Sequence, residues 1–162
     1  MQTSREDWQR EAASGHLFAV VDSCDEPCVP KKVAEAGPDR AISLYRGGNE
    51  EQYSNVAPYL FRVDQTIFDW IVKDLWAKPW GIFAFSSSGL EELRHHLRHF
   101  LTVKGTDGKK YLLRFYDPRI LPAFVGSCNE MELKQFFGPV QKYGATKEGG
   151  VWTMRLQEEN RV

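Results

Sequence analysis

Two kinds of apolar run alternate along the first hundred residues. Continuous runs of strand length occur at "LFAVVD" (17–22), "AISLYRGG" (41–48), "PYLFRV" (58–63) and "PWGIFAFSSS" (79–88). The first has no polar residue before Asp22, which predicts a strand buried on both faces. The second stops at paired glycines and gives way to the polar loop "NEEQYSNVA". Elsewhere the apolar positions are spaced as in helices. In "QTIFDWIVKDLW", Ile67, Phe68, Ile71, Val72 and Leu75 share one broad face, and Asp64 is placed to cap it. Leu90, Leu93, Leu97, Phe100 and Leu101 form a narrower stripe behind Ser88 and Glu91, which are spaced as a capping box. "CDEPCVPKKVAEAG" predicts a short helix with Pro30 near its start and Gly37 just past its end. "SREDWQREAA" predicts a polar helix capped by Ser4, with Trp8 as its only large apolar anchor.

Hairpins dominate later. "VKGTDGKKYLLRFY" predicts one that turns at Thr106-Asp107-Gly108, and "VQKYGAT" with "VWTMRL" predicts another across "KEGG". Asp117 followed by Pro118 reads as a helix start, and Asn129 as the cap of "EMELKQFF", which Gly138 and Pro139 end. The fold class expected is α/β, a mixed sheet flanked by helices with a smaller α+β C-terminal portion. Residues 1–16 read as a polar helix or tail, and 17–162 as a single domain or two lobes with a seam near 86–100.

Composition narrows the function. The chain has 162 residues, 42% of them hydrophobic, so it can bury a real core. Its formal net charge of −1 argues against nucleic acid as the main ligand, because phosphate binding needs a basic surplus. No apolar run approaches the roughly 18 residues of a membrane span. "MQTSREDWQREAASGH" has no apolar stretch of the kind a secretory signal carries. Cys24, Cys28 and Cys128 are an odd, sparse set, expected as reduced thiols in a cytoplasmic protein.

Candidate chemistry is thin. His95 and His99 stand four apart, at metal-ligand spacing, yet nothing completes a tetrahedral set, and "HHLRH" lacks the glutamate of a zinc-protease helix. The pair reads more simply as a solvated helix face, with His96 on the flank of the leucine stripe. Cys28 near a helix start is a faint nucleophile candidate without a base beside it. "SSSG" (86–89) and "YRGG" (45–48) follow strands but lack the Gly-Lys-Ser/Thr ending of a phosphate loop. No cofactor and no metal are expected.

"LLRFYDPRI" (112–120) raises a sharper question, since it places Arg114 inside an apolar strand that breaks at Asp117-Pro118-Arg119. On an alternating strand Leu112, Arg114 and Tyr116 share one face, and Tyr111, Leu113 and Phe115 the other. Arg114 is then at least half buried and needs a carboxylate, for which Asp117 and Asp22 are the candidates. One reading is a structural clasp of Arg114 and Asp117 with Arg119 solvated. The other is a rim in which Arg119 and Tyr116 meet a partner protein. Trp70, Trp76 and Trp80 fall close together and read as core plugs or, if exposed, as a partner-binding patch.

These residues also carry a family likeness. "LFAVVDS", "APYLFRVD", the run from Trp80 to Leu121 and "FFGPV" resemble, in order and spacing, the domain of type VI secretion effector chaperones, also called adaptors. The likeness runs from Leu17 to Val140. Its most specific elements are "LRFYDPR" (113–119, with Leu113 where phenylalanine is usual), Trp80-Gly81 and Phe137-Gly138-Pro139. The resemblance implies a cytoplasmic, non-enzymatic bacterial protein that holds a toxic effector and helps load it onto the valine-glycine-repeat spike protein (VgrG). Many relatives carry a further C-terminal lobe, so a chain ending at Val162 is expected to match the common domain alone. The expected partner surface is Tyr45, Arg46, Tyr59, Trp80, Arg114, Tyr116 and Arg119. The expected partners are an effector and the spike, with no nucleic acid and no membrane. Two rivals are an immunity protein that blocks a toxin, and a small metal-dependent hydrolase built on His95, His99 and Cys28.

Overall fold

The computed structural model describes residues 2–45, 53–148 and 150–156. In chain order these form β1 (Gln2–Thr3), α1 (Arg5–Ala12), β2 (Leu17–Asp22), α2 (Cys28–Ala36), β3 (Ala41–Ser43), β4 (Pro58–Arg62), α3 (Gln65–Trp70), β5 (Gly81–Ser86), α4 (Leu90–Arg98), β6 (Thr102–Lys104), β7 (Lys110–Leu112), α5 (Leu121–Ser127), α6 (Glu130–Phe137), β8 (Val140–Lys147) and β9 (Gly150–Arg155). A π turn, Ile71–Leu75, prolongs α3.

The fold is α/β, with helices on both faces of one open sheet. Among the described residues that sheet has seven strands, ordered β1-β9-β8-β5-β2-β4-β3, and β6-β7 forms a separate two-stranded hairpin. Parallel neighbours were part of the expectation, yet every described ladder pair is antiparallel. The alternation of strand and helix has a different origin. β4 and β5 flank β2, both antiparallel to it, so they run the same way, with α3 as the connection between them. β8 and β9 join the main sheet, which leaves the β6-β7 hairpin as the smaller β part.

β2 shows why both faces are covered. Leu17, Ala19 and Val21 face one apolar cluster with Phe61 and Phe83, where α1, α2 and α3 contribute Trp8, Val29 and Phe68. Phe18 and Val20 face the other with Ile82 and Tyr143, where α4, α5 and α6 contribute Leu93, Leu121 and Phe136. The period-2 alternation of a strand with no polar face thus sends successive side chains into two cores. The N-terminal segment belongs to the first core. Trp8 is buried, stacks on Phe83 at 5.2 Å and donates its indole N–H to Thr3 Oγ1 at 3.0 Å. Trp70 and Trp80 are buried and Trp76 half-buried in the same core, so they are plugs rather than an exposed patch.

Three local expectations change. The helix α4 starts behind Gly89, with no side-chain cap; the Ser88 N–H donates to Ser86 Oγ, whose own hydroxyl donates to Pro139 O at 2.7 Å. The serines tie β5 to the chain entering β8 instead of capping. The second strand of the hairpin ends at Leu112, and Phe115 and Tyr116 both enter the same core, where an alternating strand would send them to opposite faces. The helix expected at Pro118 begins at Leu121 with Pro122 in its first turn, because Asp117 folds its carboxylate back onto the Arg119 N–H.

Candidate functional site: a charge cluster beside an apolar cleft

Arg114 pairs with Asp22 at the end of β2, not with Asp117. Asp117 instead takes Arg119 in a two-pronged contact, with Nε donating to Oδ1 at 3.0 Å and Nη2 to Oδ2 at 2.7 Å. The single clasp expected of Arg114 and Asp117 is therefore two ion pairs. The turn itself explains this. The Asp117 N–H donates to the Arg114 carbonyl at 2.9 Å, which joins the two backbones and leaves their side chains to separate partners. Burial pulls the Asp117 carboxyl up, but the Arg119 bonds outweigh it and hold it below the usual carboxylate range.

Tyr116 lies under this cluster. Burial first, then Tyr45 and Asp22, push its hydroxyl up to about 12, against the pull of Arg114, whose guanidinium lies 5.8 Å from the ring centre. Tyr45 is also raised, by burial and then by Asp22. The site thus holds Tyr45 and Tyr116 neutral and both of its carboxylates, Asp22 and Asp117, paired.

Tyr45 also lines a cleft of about 520 Å³ between the end of β3, the C-terminal part of α4 and the β6-β7 hairpin. Leu44 and Leu101 form its floor, both buried, and the exposed Leu112 its outer wall. Tyr45 and Tyr53 meet edge to face at 6.2 Å, and His95 and His99 likewise at 5.0 Å. Arg98 donates Nε to Leu44 O at 2.9 Å and Nη2 to Tyr45 O at 2.8 Å, joining α4 to the chain leaving β3. His95 and His99, expected on a solvated face, are both exposed and line this cleft. Among the described residues no three His, Cys, Asp or Glu side chains gather to hold a metal ion. His96 stands apart, its Nε2 2.7 Å from Phe136 O, and burial pulls its imidazole down. Burial raises the Cys28 and Cys128 thiols, which keeps them protonated and weak as nucleophiles.

The expected partner rim is only partly at the surface. Tyr59, Trp80 and Tyr116 are at most 5% exposed, so their side chains offer a partner nothing. Tyr45 and Arg114 are half-buried, Arg119 is exposed, and Arg46 lies outside the described residues. What sequence reasoning missed is the exposed apolar set around the hairpin: Tyr53, Val103, Tyr111 and Leu112 are each more than a third exposed. A signal existed. A two-stranded hairpin of three-residue strands has no partner sheet on which to bury side chains, so its apolar residues stay outside.

Fold and site together define a doubly covered, antiparallel α/β domain with an apolar-floored surface cleft beside a compensated charge cluster. The chain belongs to the family described as the domain of unknown function DUF4123, whose model matches residues 17–135, from β2 into α6 and across the whole cleft. No curated protein and no solved structure matches it.

Proposed function

We propose that this protein is a cytoplasmic adaptor that holds a toxic type VI secretion effector and helps pass it to the valine-glycine-repeat spike. The observation that carries the reading is the apolar cleft with Tyr53 and Leu112 exposed at its edge, next to a charge cluster whose groups are already paired. Exposed apolar side chains gathered at one end of a well-cored domain suit the covering of a partner's apolar segment. The sequence likeness to effector chaperones supports the same reading. No described helix is long and apolar enough to cross a membrane, which accords with action in the cytoplasm.

The test is co-expression with the product of a neighbouring effector gene. The adaptor reading expects a complex that survives purification, and an effector that is lost from the spike when this gene is deleted. Unchanged effector solubility and unchanged delivery in the deletion strain would refute it.

A further inference from the structure

We propose that the cleft and the adjoining face of the β6-β7 hairpin form a docking site for an acidic amphipathic segment of the partner polypeptide. The occupant rests on the adaptor reading. Thr102 and Leu112 are opposite each other in the hairpin and both line the cleft. Lys104 and Lys110 are the next opposed pair on the same face, two residues farther from the cleft. Both are exposed, and among the described residues neither has an ion-pair partner. Like charges set directly across a two-stranded ladder are destabilising, and nothing within the described protein offsets them.

Charge along the site runs one way. The described residues lining the cleft include Arg98, His95 and His99 but no aspartate or glutamate, although the whole chain carries 22 acidic residues against 21 lysines and arginines. The nearest hairpin carboxylate, Asp107, is held at the tip by the Tyr111 hydroxyl and the Lys109 N–H. Apolar floor and cationic extension together fit a segment with apolar residues on one side and carboxylates on the other. Apolar contacts would fill the cleft while carboxylates separate the two ammonium groups.

Three labelled peptides test this against the full chain by fluorescence anisotropy: a glutamate–leucine amphipathic peptide, a lysine–leucine version and a glutamate–serine version. The glutamate–leucine peptide should bind at least about tenfold tighter than the other two. Lys104→Glu with Lys110→Glu, and separately Leu112→Ser, should each weaken it by about tenfold, while Met131→Ser, exposed on α6, should not. Lys110→Glu alone sets an opposite charge across from Lys104, so it should weaken binding without lowering the melting temperature, which separates docking from folding. Equal affinity for the acidic and basic peptides, no binding of the acidic one, or full affinity in the lysine variants overturns the proposal. If these fail while the effector still co-purifies, the adaptor reading stands and another surface is used. If they succeed while co-purification fails, the cleft keeps its ligand class and the adaptor reading falls.

Discussion

Asp22 is the residue on which the charge cluster turns. Its side chain is only 12% exposed and its described ion-pair partner is Arg114, so losing that partner leaves a carboxylate largely out of water. Arg114→Ala should lower stability by about 1–3 kcal/mol, measured by urea unfolding. Asp22→Asn should cost less, and the double variant should cost less than the sum of the two singles. Normal unfolding of Arg114→Ala would show that the pair is solvated in effect and that Arg114 is available to a partner. His96 makes a pH prediction. Burial, opposed by the bond to Phe136 O, places its folded pKa below the unfolded value of about 6.5. The unfolded chain then binds the extra proton first, so stability is complete above about pH 6.5 and declines as pH falls toward the folded pKa. Thermal melts between neutral and mildly acidic pH should show that decline, and His96→Gln should flatten it.

Elements here depend on close approach at two glycines. A Cβ on Gly81, whose φ is +154°, would lie 2.0 Å from the Val20 carbonyl oxygen in the β2-β5 ladder. Gly81→Ala should therefore prevent β5 from pairing at its start, seen as loss of folded yield or a greatly lowered melting temperature. A Cβ on Gly144 would lie 2.5 Å from the Trp8 ring, so the missing side chain on β8 is what seats α1. Lys142 completes that seat, 4.9 Å over the indole and 2.7 Å from Glu11 Oε1. Trp8→Ala should cost about 3–5 kcal/mol and expose α1 to limited proteolysis. A helix that remained protected would mean its polar contacts suffice. The sequence showed Trp8 as a lone anchor, but not that its counterpart is a glycine more than a hundred residues away.

The described fold is one seven-stranded sheet between two cores, with the β6-β7 hairpin apart, and its unfolding should reflect that. Trp8, Trp70, Trp76 and Trp80 all report on the face of α1, α2 and α3. Phe136 lies on the opposite face, stacked on Tyr143 at 4.7 Å. Phe136→Ala should shift the tryptophan fluorescence midpoint and the far-UV circular dichroism midpoint together, by an amount corresponding to about 3–5 kcal/mol. Separate transitions would mean that the two faces unfold independently.

Local code alone was enough for most elements. The run Leu17–Asp22, the caps at Ser4, Asp64 and Asn129, and the glycine stops at Gly37 and Gly138 each act within a few residues, so the order of strands and helices could be read directly. Strand neighbours could not. Antiparallel and parallel ladders accept the same apolar runs, and only the placement of β2 between β4 and β5 chose between them. Partner choice was equally hidden: Arg114 had Asp117 three residues away, but the chain's exit from strand geometry after Leu112 directed it to Asp22, 92 positions earlier. The same holds for the cleft, whose walls come from β3, α4 and the hairpin. Burial and charge pairing are properties of three-dimensional neighbourhoods, so tertiary packing alone decided which of the aromatic and basic residues would reach the surface.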